Sequence, residues 1–462
     1  MKVIFIKTIC FFSIALLYSK TIKAQIIPID EPIELDTNIA CIMKVTDDVN
    51  RMYIPPRDEV KEVLAGRVDG CATINVNYNN FPVNVINPSQ DGPEKAAFQF
   101  AIDIWESLLD SPVTININAN WTNLGGSTLG SAGAAFQAEA ATGPSAYPNT
   151  LYPAALAEKI TGSHINGVNS VDINCNFNSQ FPNWYFGTDG NTPATDYDFV
   201  TIVLHEIGHG LGLAGFGRQT NIENTNVGVI RRTINNQFPS SLNDPNAIYP
   251  NIWDTFMQNE DIFTNNVSIL DLGNYPDPSS TLLGGMTNNK LTCKSPIAIV
   301  QNGGTPPLMY SISPFNNGSS YSHFDESTFN NTPTALMTPQ AARGEAIHDP
   351  GDVAMGFMED MGWSLCGRSL SVEDNSVLEN IRVSPNPFAE SITLNLPSAL
   401  ANQAFNLSVI DMNGRVVLNQ TSEANNGEIR ISNLNNLDKS IYFLKIESTT
   451  SDISITKKII KK

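Results

Sequence analysis

The chain has 462 residues and a formal net charge of -19, with 27 Lys and Arg against 46 Asp and Glu. That acidity argues against nucleic acid and anionic membrane as partners, and it suits solubility outside a cell. The length accommodates two or three domains, each with its own core.

Lys2 and Lys7 flank the start of an apolar run, Thr8 to Tyr18, which ends in the small-residue site at Ala24. This is the pattern of a signal peptide covering residues 1–24, and the run is too short for a comfortable membrane span. Export removes Cys10 and leaves Cys41, Cys71, Cys175, Cys293 and Cys366. Five is an odd number for an oxidising compartment, so one thiol is left over or one pairing is absent. Their spacing is not that of a structural zinc site.

Residues 25–71 contain Pro28, Pro32, Pro55 and Pro56 and one short helical stretch, Asp58 to Leu64, and form an N-terminal extension or a pro-segment. Ala72 to Tyr78 alternates apolar and polar residues as a strand does. Pro93 to Leu109 follows with proline at a helix start and one apolar stripe through Ala97, Phe98, Ala101, Ile104, Trp105 and Leu108. Val113 to Trp121 is a second alternating strand, and Leu124 to Gly130 reads as a glycine-rich turn region. Strand, long helix, strand and then a further helix predict an α+β domain with a mixed sheet.

That further helix carries the chemistry. In Thr201 to Gly212 the residues His205, Glu206 and His209 stand in the H-E-x-x-H arrangement. At 3.6 residues per turn both imidazoles lie on one face and can bind one metal ion, while Glu206 reaches the attacking water. A bare H-E-x-x-H also arises by chance on solvated helices. Here a capping aspartate and apolar residues at helical spacing precede it, which predicts a buried helix whose polar residues need a reason. The chain has only five histidines, and two fall in this motif.

A hydrolytic zinc needs a third protein ligand and an open position. Gly212 matches the glycine of H-E-x-x-H-x-x-G-x-x-H, but Gly215 stands at the next ligand position, so the third ligand must come from elsewhere. His164, His323 and His348 are the remaining histidines; a glutamate such as Glu260 is the alternative of another zinc-hydrolase branch. His164 and His348 read as structural or exposed, and His323 also reads as a loop histidine bonded to Asp325. Residues 217–321 are rich in Asn, Pro and Gly and read as a long insertion, after which Pro350 to Met361 predicts an amphipathic helix capped by Asp349.

With His205, Glu206, His209, Gly212, His323 and the run Thr334 to Pro339 on the page, the chain resembles the leishmanolysin-like branch of the metzincins over roughly Ala72 to Cys366. The likeness is strongest at the two motif regions and weak in the insertion. It implies a Zn2+ endopeptidase in residues 72–366, with His323 as third ligand, Met337 as the Met-turn residue flooring the site and Glu206 as general base. It also implies that a protein or peptide substrate adds as a strand near Trp121 and the turn through Gly130. Many metzincins add a tyrosine soon after the Met-turn, and none follows Met337 here. A rival from another class is a secreted adhesion or binding protein whose metallopeptidase-like domain is inactive.

A polar linker at 367–380 leads to residues 381–462, where Val383 to Phe388, Ile392 to Leu396, Leu407 to Val417, Ile429 to Leu434 and Ile441 to Ile446 read as short strands, with Asn413-Gly414 at a turn. These predict a small β-sandwich. The series resembles the type A sorting domain of the type IX secretion system of the Bacteroidetes, with Ser440 in place of a usual glycine. The resemblance implies the secretion machinery as a partner and a secreted or cell-surface location. A carbohydrate-binding or adhesive sandwich is the alternative, and no exposed aromatic cluster favours it.

Overall fold

The computed structural model describes residues 25–27, 41–84, 90–139, 150–165, 167–230, 232–233, 248–260, 266–367, 381–396, 404–412, 415–424, 427–448 and 454–462. The expected signal peptide, the greater part of the expected linker, the expected turn at Asn413-Gly414 and parts of the expected insertion therefore lie outside the described residues. The chain divides into two compact units, Met1–Cys366 and Gly367–Lys462. Helices and strands mix in the first; strands alone occur among the described residues of the second.

The first unit is built on a six-stranded sheet of β1 (Cys41–Val49), β2 (Ile74–Asn79), β3 (Ile115–Thr122), β4 (Thr128–Ala134), β5 (Ile173–Asn178) and β6 (Gln340–Arg343), in the spatial order β6-β1-β4-β5-β3-β2. It is mixed: β4 runs antiparallel to both neighbours, and the other pairs are parallel. Three of its strands share one pattern, Ile-Asn-x-Asn-x-Asn, starting at Ile74, Ile115 and Ile173. Alternation sends Ile115, Ile117 and Ala119, with Ile173, Cys175 and Phe177, to the buried face. The asparagines share the opposite face and form amide rows: Asn79 donates to Asn120 at 3.0 Å, and Asn120 to Asn176 at 3.1 Å. In-register pairing places asparagine beside asparagine across strands, and each amide can both donate and accept there.

Against the apolar face pack α1 (Pro93–Leu108) and α2 (Phe199–Leu211). Phe98 and Phe199 both make edge contacts with Phe177, and Trp105 donates its indole N–H to the Leu204 carbonyl at 3.3 Å. A third helix, α3 (Asp352–Met361), ends just before Trp363, whose indole N–H binds the Leu211 carbonyl at 2.9 Å and so fixes the C-terminal end of α2.

Two sequence expectations need correction. The predicted turn region holds over Leu124 to Ser127, but its last residues, Thr128 to Gly130, begin the strand β4, because pairing with β1 and β5 overrides the weak strand preference of its glycines and alanines. Asp349 does not cap α3, whose N-cap is Gly351 with no side-chain cap; its carboxylate is held instead by Arg57 at 2.6 and 2.8 Å. Residues 41–71, read as part of an N-terminal extension or pro-segment, pack into the first unit: β1 lies inside the sheet, and Tyr53–Ile54 pairs with Ala346–Ile347. The described part of the insertion likewise packs into the first unit, with Ile297 N–H on Asp360 at 2.8 Å.

Cys71 and Cys366 form a disulfide across 295 residues, while Cys175 and Cys293 are buried free thiols. Closing so long a loop restricts the unfolded chain strongly, so the Cys71→Ser, Cys366→Ser double variant should lose about 2–5 kcal/mol. Urea unfolding without reductant measures this, and an unchanged midpoint would show that the bridge adds nothing.

In the second unit, Arg382–Ser384, Ile392–Asn395 and Glu428–Ile431 make one antiparallel sheet. Ala404–Ile410, Val416–Glu423, Ile441–Ser448 and Ser454–Ile460 make another. Ile392, Leu394 and Ile431 from the first and Phe405, Leu407, Leu444 and Ile446 from the second share one buried core, which is sandwich packing.

Candidate metal centre

Helix α2 begins where the Asp198 carboxylate accepts the Thr201 backbone N–H at 2.8 Å, an N-cap contact worth about 1 kcal/mol. The same carboxylate meets His348 Nε2 at 2.9 Å, and both side chains are fully buried. His348 is thus structural, as its sequence setting suggests, and it ties the strand pair near Ala346 to the start of the motif helix. His164 is a partner of Glu158 at 2.7 Å.

His205 and His209 stand one turn apart on α2, and the helix stops at Gly212 with φ 124°, a conformation glycine adopts without strain. The chain then bends away, and Gly215 is packed so closely that a Cβ would lie 2.3 Å from the Trp253 ring and 2.5 Å from the Tyr321 ring. No larger side chain fits at that position, so the compact placement of a third ligand is closed sterically. His323 arrives instead from the far end of the insertion.

The Nε2 atoms of the three histidines converge: 3.0 Å for His205 and His209, 3.2 Å for His209 and His323, and 3.2 Å for His205 and His323. Each Nδ1 faces a backbone carbonyl, Leu336 for His205, Leu213 for His209 and Ser319 for His323, at 2.7 to 2.8 Å. Since a carbonyl only accepts, each Nδ1 carries the proton and each Nε2 turns a lone pair inward. Three lone pairs meeting in a buried space repel one another unless a cation lies between them. The spacing also fits: tetrahedral zinc with bonds of about 2.0–2.1 Å requires nitrogens about 3.3 Å apart. Among the described residues these three are the group of His, Cys, Asp and Glu whose ligand atoms lie close enough to hold a metal. Glu260, on the chain after the Met257–Asn259 strand, is not in it, and Asp325 caps the helix after His323 rather than binding that ring.

Burial pushes the His205 imidazole down to about 4 and lowers His209 and His323 well below the usual histidine range. All three are therefore neutral and ligand-ready at physiological pH. Glu206 is fully buried and burial raises its carboxyl, opposed by the backbone N–H groups of Met43 and Ala132. These amides face the carboxylate without closing hydrogen bonds of ordinary geometry, so neither oxygen has a settled partner among the described residues.

Met337 ends a short 3-10 turn, Ala335–Met337, beneath α2, with its sulfur 3.1 Å from where a Cβ on Gly208 would stand. This turn holds two of the histidines: Leu336 supplies the carbonyl for His205, and the Met337 carbonyl accepts the N–H of Phe324, next to His323.

Sequence reading missed the residues that deliver His323. Buried Asp254 accepts the Tyr321 hydroxyl at 2.9 Å and the Phe216 N–H at 3.0 Å, and Ser322 accepts the Gly215 N–H at 3.1 Å. These contacts clamp the His323 segment to the chain leaving α2. Tyr321 sits at φ 79°, an unfavourable conformation for a bulky residue, held by that packing. Nothing in the local sequence around Asp254 marks it.

Two family models match. Residues 382–462 match the secretion system C-terminal sorting domain, and residues 96–225, which include the motif helix, match a family described as SPBPB7E8-like. The second unit is thus a type IX sorting domain of the Bacteroidetes kind; it engages the secretion machinery, and the protein is destined for the cell surface or beyond. No helix among the described residues is long and apolar enough to cross a membrane. No curated protein matches the chain. Among solved structures, PorZ, an essential surface component of the type IX secretion system of Porphyromonas gingivalis, is 17% identical with a TM-score of 0.16, over 22% of this chain and 14% of that one. Dimeric latent PorU of the same organism is 18% identical with a TM-score of 0.15, over 18% and 9%. A Bacteroides vulgatus DUF3244 protein with an immunoglobulin-like β-sandwich is 20% identical with a TM-score of 0.14, over 18% and 96%. The chain therefore spans only a small part of PorZ and PorU.

Because the first compact unit ends at Cys366, a chain stopped at Gly367 should keep its fold when made in isolation. In the native host it should accumulate in the periplasm, as fractionation and immunoblotting would reveal. Normal export of the shortened chain would refute the sorting role.

Proposed function

We propose that the first unit is a zinc-dependent endopeptidase of the leishmanolysin-like metzincin kind, exported by the type IX system. The observation that supports this reading best is the convergence of three neutral, carbonyl-anchored histidines beside a buried carboxylate without settled partners. His205, His209 and His323 would hold the ion. When bound there, zinc supplies Lewis acidity, polarising the scissile carbonyl and acidifying water.

The chain's own residues do the rest. Glu206 accepts the proton of the attacking water on its carboxylate and returns it to the leaving nitrogen. Its raised affinity for a proton, caused by burial, suits a base that must hold the proton between the two transfers. The Leu336, Leu213 and Ser319 carbonyls fix ring orientation and tautomer, so no reorganisation is needed on metal uptake. Met337 packs beneath the helix and keeps the site dry from below.

Metal content measured together with cleavage of a denatured protein substrate tests the reading. About one zinc per chain and proteolysis abolished by a chelator are expected once the site is accessible. Zinc-free protein with unaltered cleavage would overturn it.

A further inference from the structure

Two of the converging histidines share a helix, and the third comes from irregular chain 114 residues beyond His209. A ligand on a loosely held segment adds little affinity, because an ion must then order that segment as it binds, and ordering it beforehand removes the cost. Around His323 the groups that do this belong to the insertion and meet at one carboxylate, Asp254, which is 0% exposed. Its Oδ1 accepts the Tyr321 hydroxyl at 2.9 Å and the Phe216 N–H at 3.0 Å, and its Oδ2 accepts the Asn251 N–H at 2.7 Å. One side chain thus joins the stretch leaving α2, the 3-10 turn Trp253–Phe256 and the residue two before His323. The Tyr321 ring lies against Gly215 and Gly217, since a Cβ on either would stand 2.5 Å from its atoms. Ring and hydroxyl together hold the backbone at φ 79°, which a tyrosine leaves unless its packing forbids it. A second tie holds the turn whose Ser319 carbonyl orients the His323 ring: Asn317 accepts the Gln219 N–H at 3.0 Å and donates to the Gln219 carbonyl at 3.2 Å.

The turn that carries Asp254 is itself anchored. Asn251 Nδ2 donates to Gln137 at 3.1 Å, the Leu151 N–H donates to the Pro250 carbonyl, and the Ile252 N–H donates to the Leu151 carbonyl, the last two at 2.9 Å. Leu151 opens the short strand Leu151–Pro153, and the Pro153 ring packs 3.1 Å from where a Cβ on Gly212 would stand, at the stop of α2. One support therefore carries both ligand-bearing parts, the motif helix through Pro153 and the His323 segment through Asp254. We propose that Asp254 and Tyr321 are positioning residues of the metal centre: their hydrogen bond fixes His323 before an ion arrives and so sets the affinity for zinc. The inference rests on the metal-site reading and names the part of the insertion on which that site depends. Asp254 is not among the converging ligands, and both residues act through the chain at 321–323.

Tyr321→Phe in the full chain is the sharpest test, because it deletes one oxygen, keeps the ring against Gly215 and Gly217, and should leave the circular dichroism unchanged. Zinc affinity, measured by equilibrium dialysis against a competing chelator, should fall about 10- to 100-fold, the usual effect of losing an outer partner of a metal ligand. Cobalt(II) in place of zinc gives a second readout: its visible absorption, strong in a tetrahedral site, should weaken as water replaces a loosened His323. Asp254→Asn cannot accept at both positions and should lower affinity likewise. The double variant should lose scarcely more than Asp254→Asn alone, since both substitutions remove the same contact. Ser279→Ala is the control for general loosening of the insertion: it removes the cap of the helix Ser280–Gly285, and should lower the unfolding temperature with zinc affinity and cobalt spectrum unchanged. Undiminished zinc affinity in Tyr321→Phe, or an equal loss in Ser279→Ala, overturns the positioning role and spares the metal site. An unaltered chain that binds no zinc overturns the metal-site reading and this proposal with it.

Discussion

Replacing Glu206 by glutamine should leave zinc near one per chain and the fold intact while turnover of an accessible enzyme falls by about two orders of magnitude or more. Glutamine has nearly the same shape, so the packing under Gly130 is preserved. It is not among the converging nitrogens and adds no competing ligand. What disappears is the only property the mechanism uses there, a carboxylate able to take and return a proton. Removing a buried ionisable group with no settled partner should also slightly stabilise the protein. Metal analysis, thermal unfolding and initial rates on one denatured substrate make the comparison, and undiminished proteolysis would remove Glu206 from the mechanism.

Substituting His323 by alanine should lower zinc affinity and abolish activity together. Two nitrogens would remain, and the cavity left at a fully buried position would be lined by Ser319 O, which has lost its donor. A zinc ion held by His205 and His209 alone must complete its shell with water and exchanges readily with a chelator. His164→Ala removes a partner of Glu158 and leaves the three-histidine cluster untouched, so it should retain zinc as the unaltered chain does. Tight, stoichiometric zinc in His323→Ala would sink this ligand set. A parallel zinc loss in Glu260→Ala would point to the other branch of zinc hydrolases.

The helix bearing His205, Glu206 and His209 was legible in the sequence because helical spacing is local: the cap, the apolar run and the glycine stop all lie within a few residues. The third ligand position was less so. Only the resemblance carried by the run Thr334 to Pro339 favoured His323 over His164 and His348, and what separates them in the structure is distant: the Asp254, Tyr321 and Ser322 contacts that clamp His323, against the Asp198 pairing that buries His348 elsewhere. Of the three Ile-Asn-x-Asn-x-Asn strands, two were read as strands, and the third, at Ile173, carries the same alternation and went unread. The turn read over Leu124 to Gly130 runs three residues too far, since Thr128 to Gly130 already belong to a strand whose glycines speak for a bend until β1 and β5 pair with it. Asp349 looked like a helix cap by position alone, and Arg57, 292 residues away in sequence, claimed its carboxylate.

The Cys71–Cys366 bridge has a mechanical meaning for a protein handled by its C-terminal end. Gly367 follows Cys366 directly, so tension drawn along the chain from the sorting domain enters the first unit at the bridge. Without that covalent path the load would fall on the two-residue pairing of Ser364–Leu365 with Leu109–Asp110, and then on α3 and the Trp363 contact that holds the end of α2. Those contacts would open one after another, like a zip pulled from its end. With the bridge, force crosses to Cys71 and reaches β2 within three residues, where parallel pairing with β3 resists it as many bonds loaded at once. An oxidised chain can thus be pulled by its tail without unravelling the helix that bears His205 and His209, and a reduced one loses that protection.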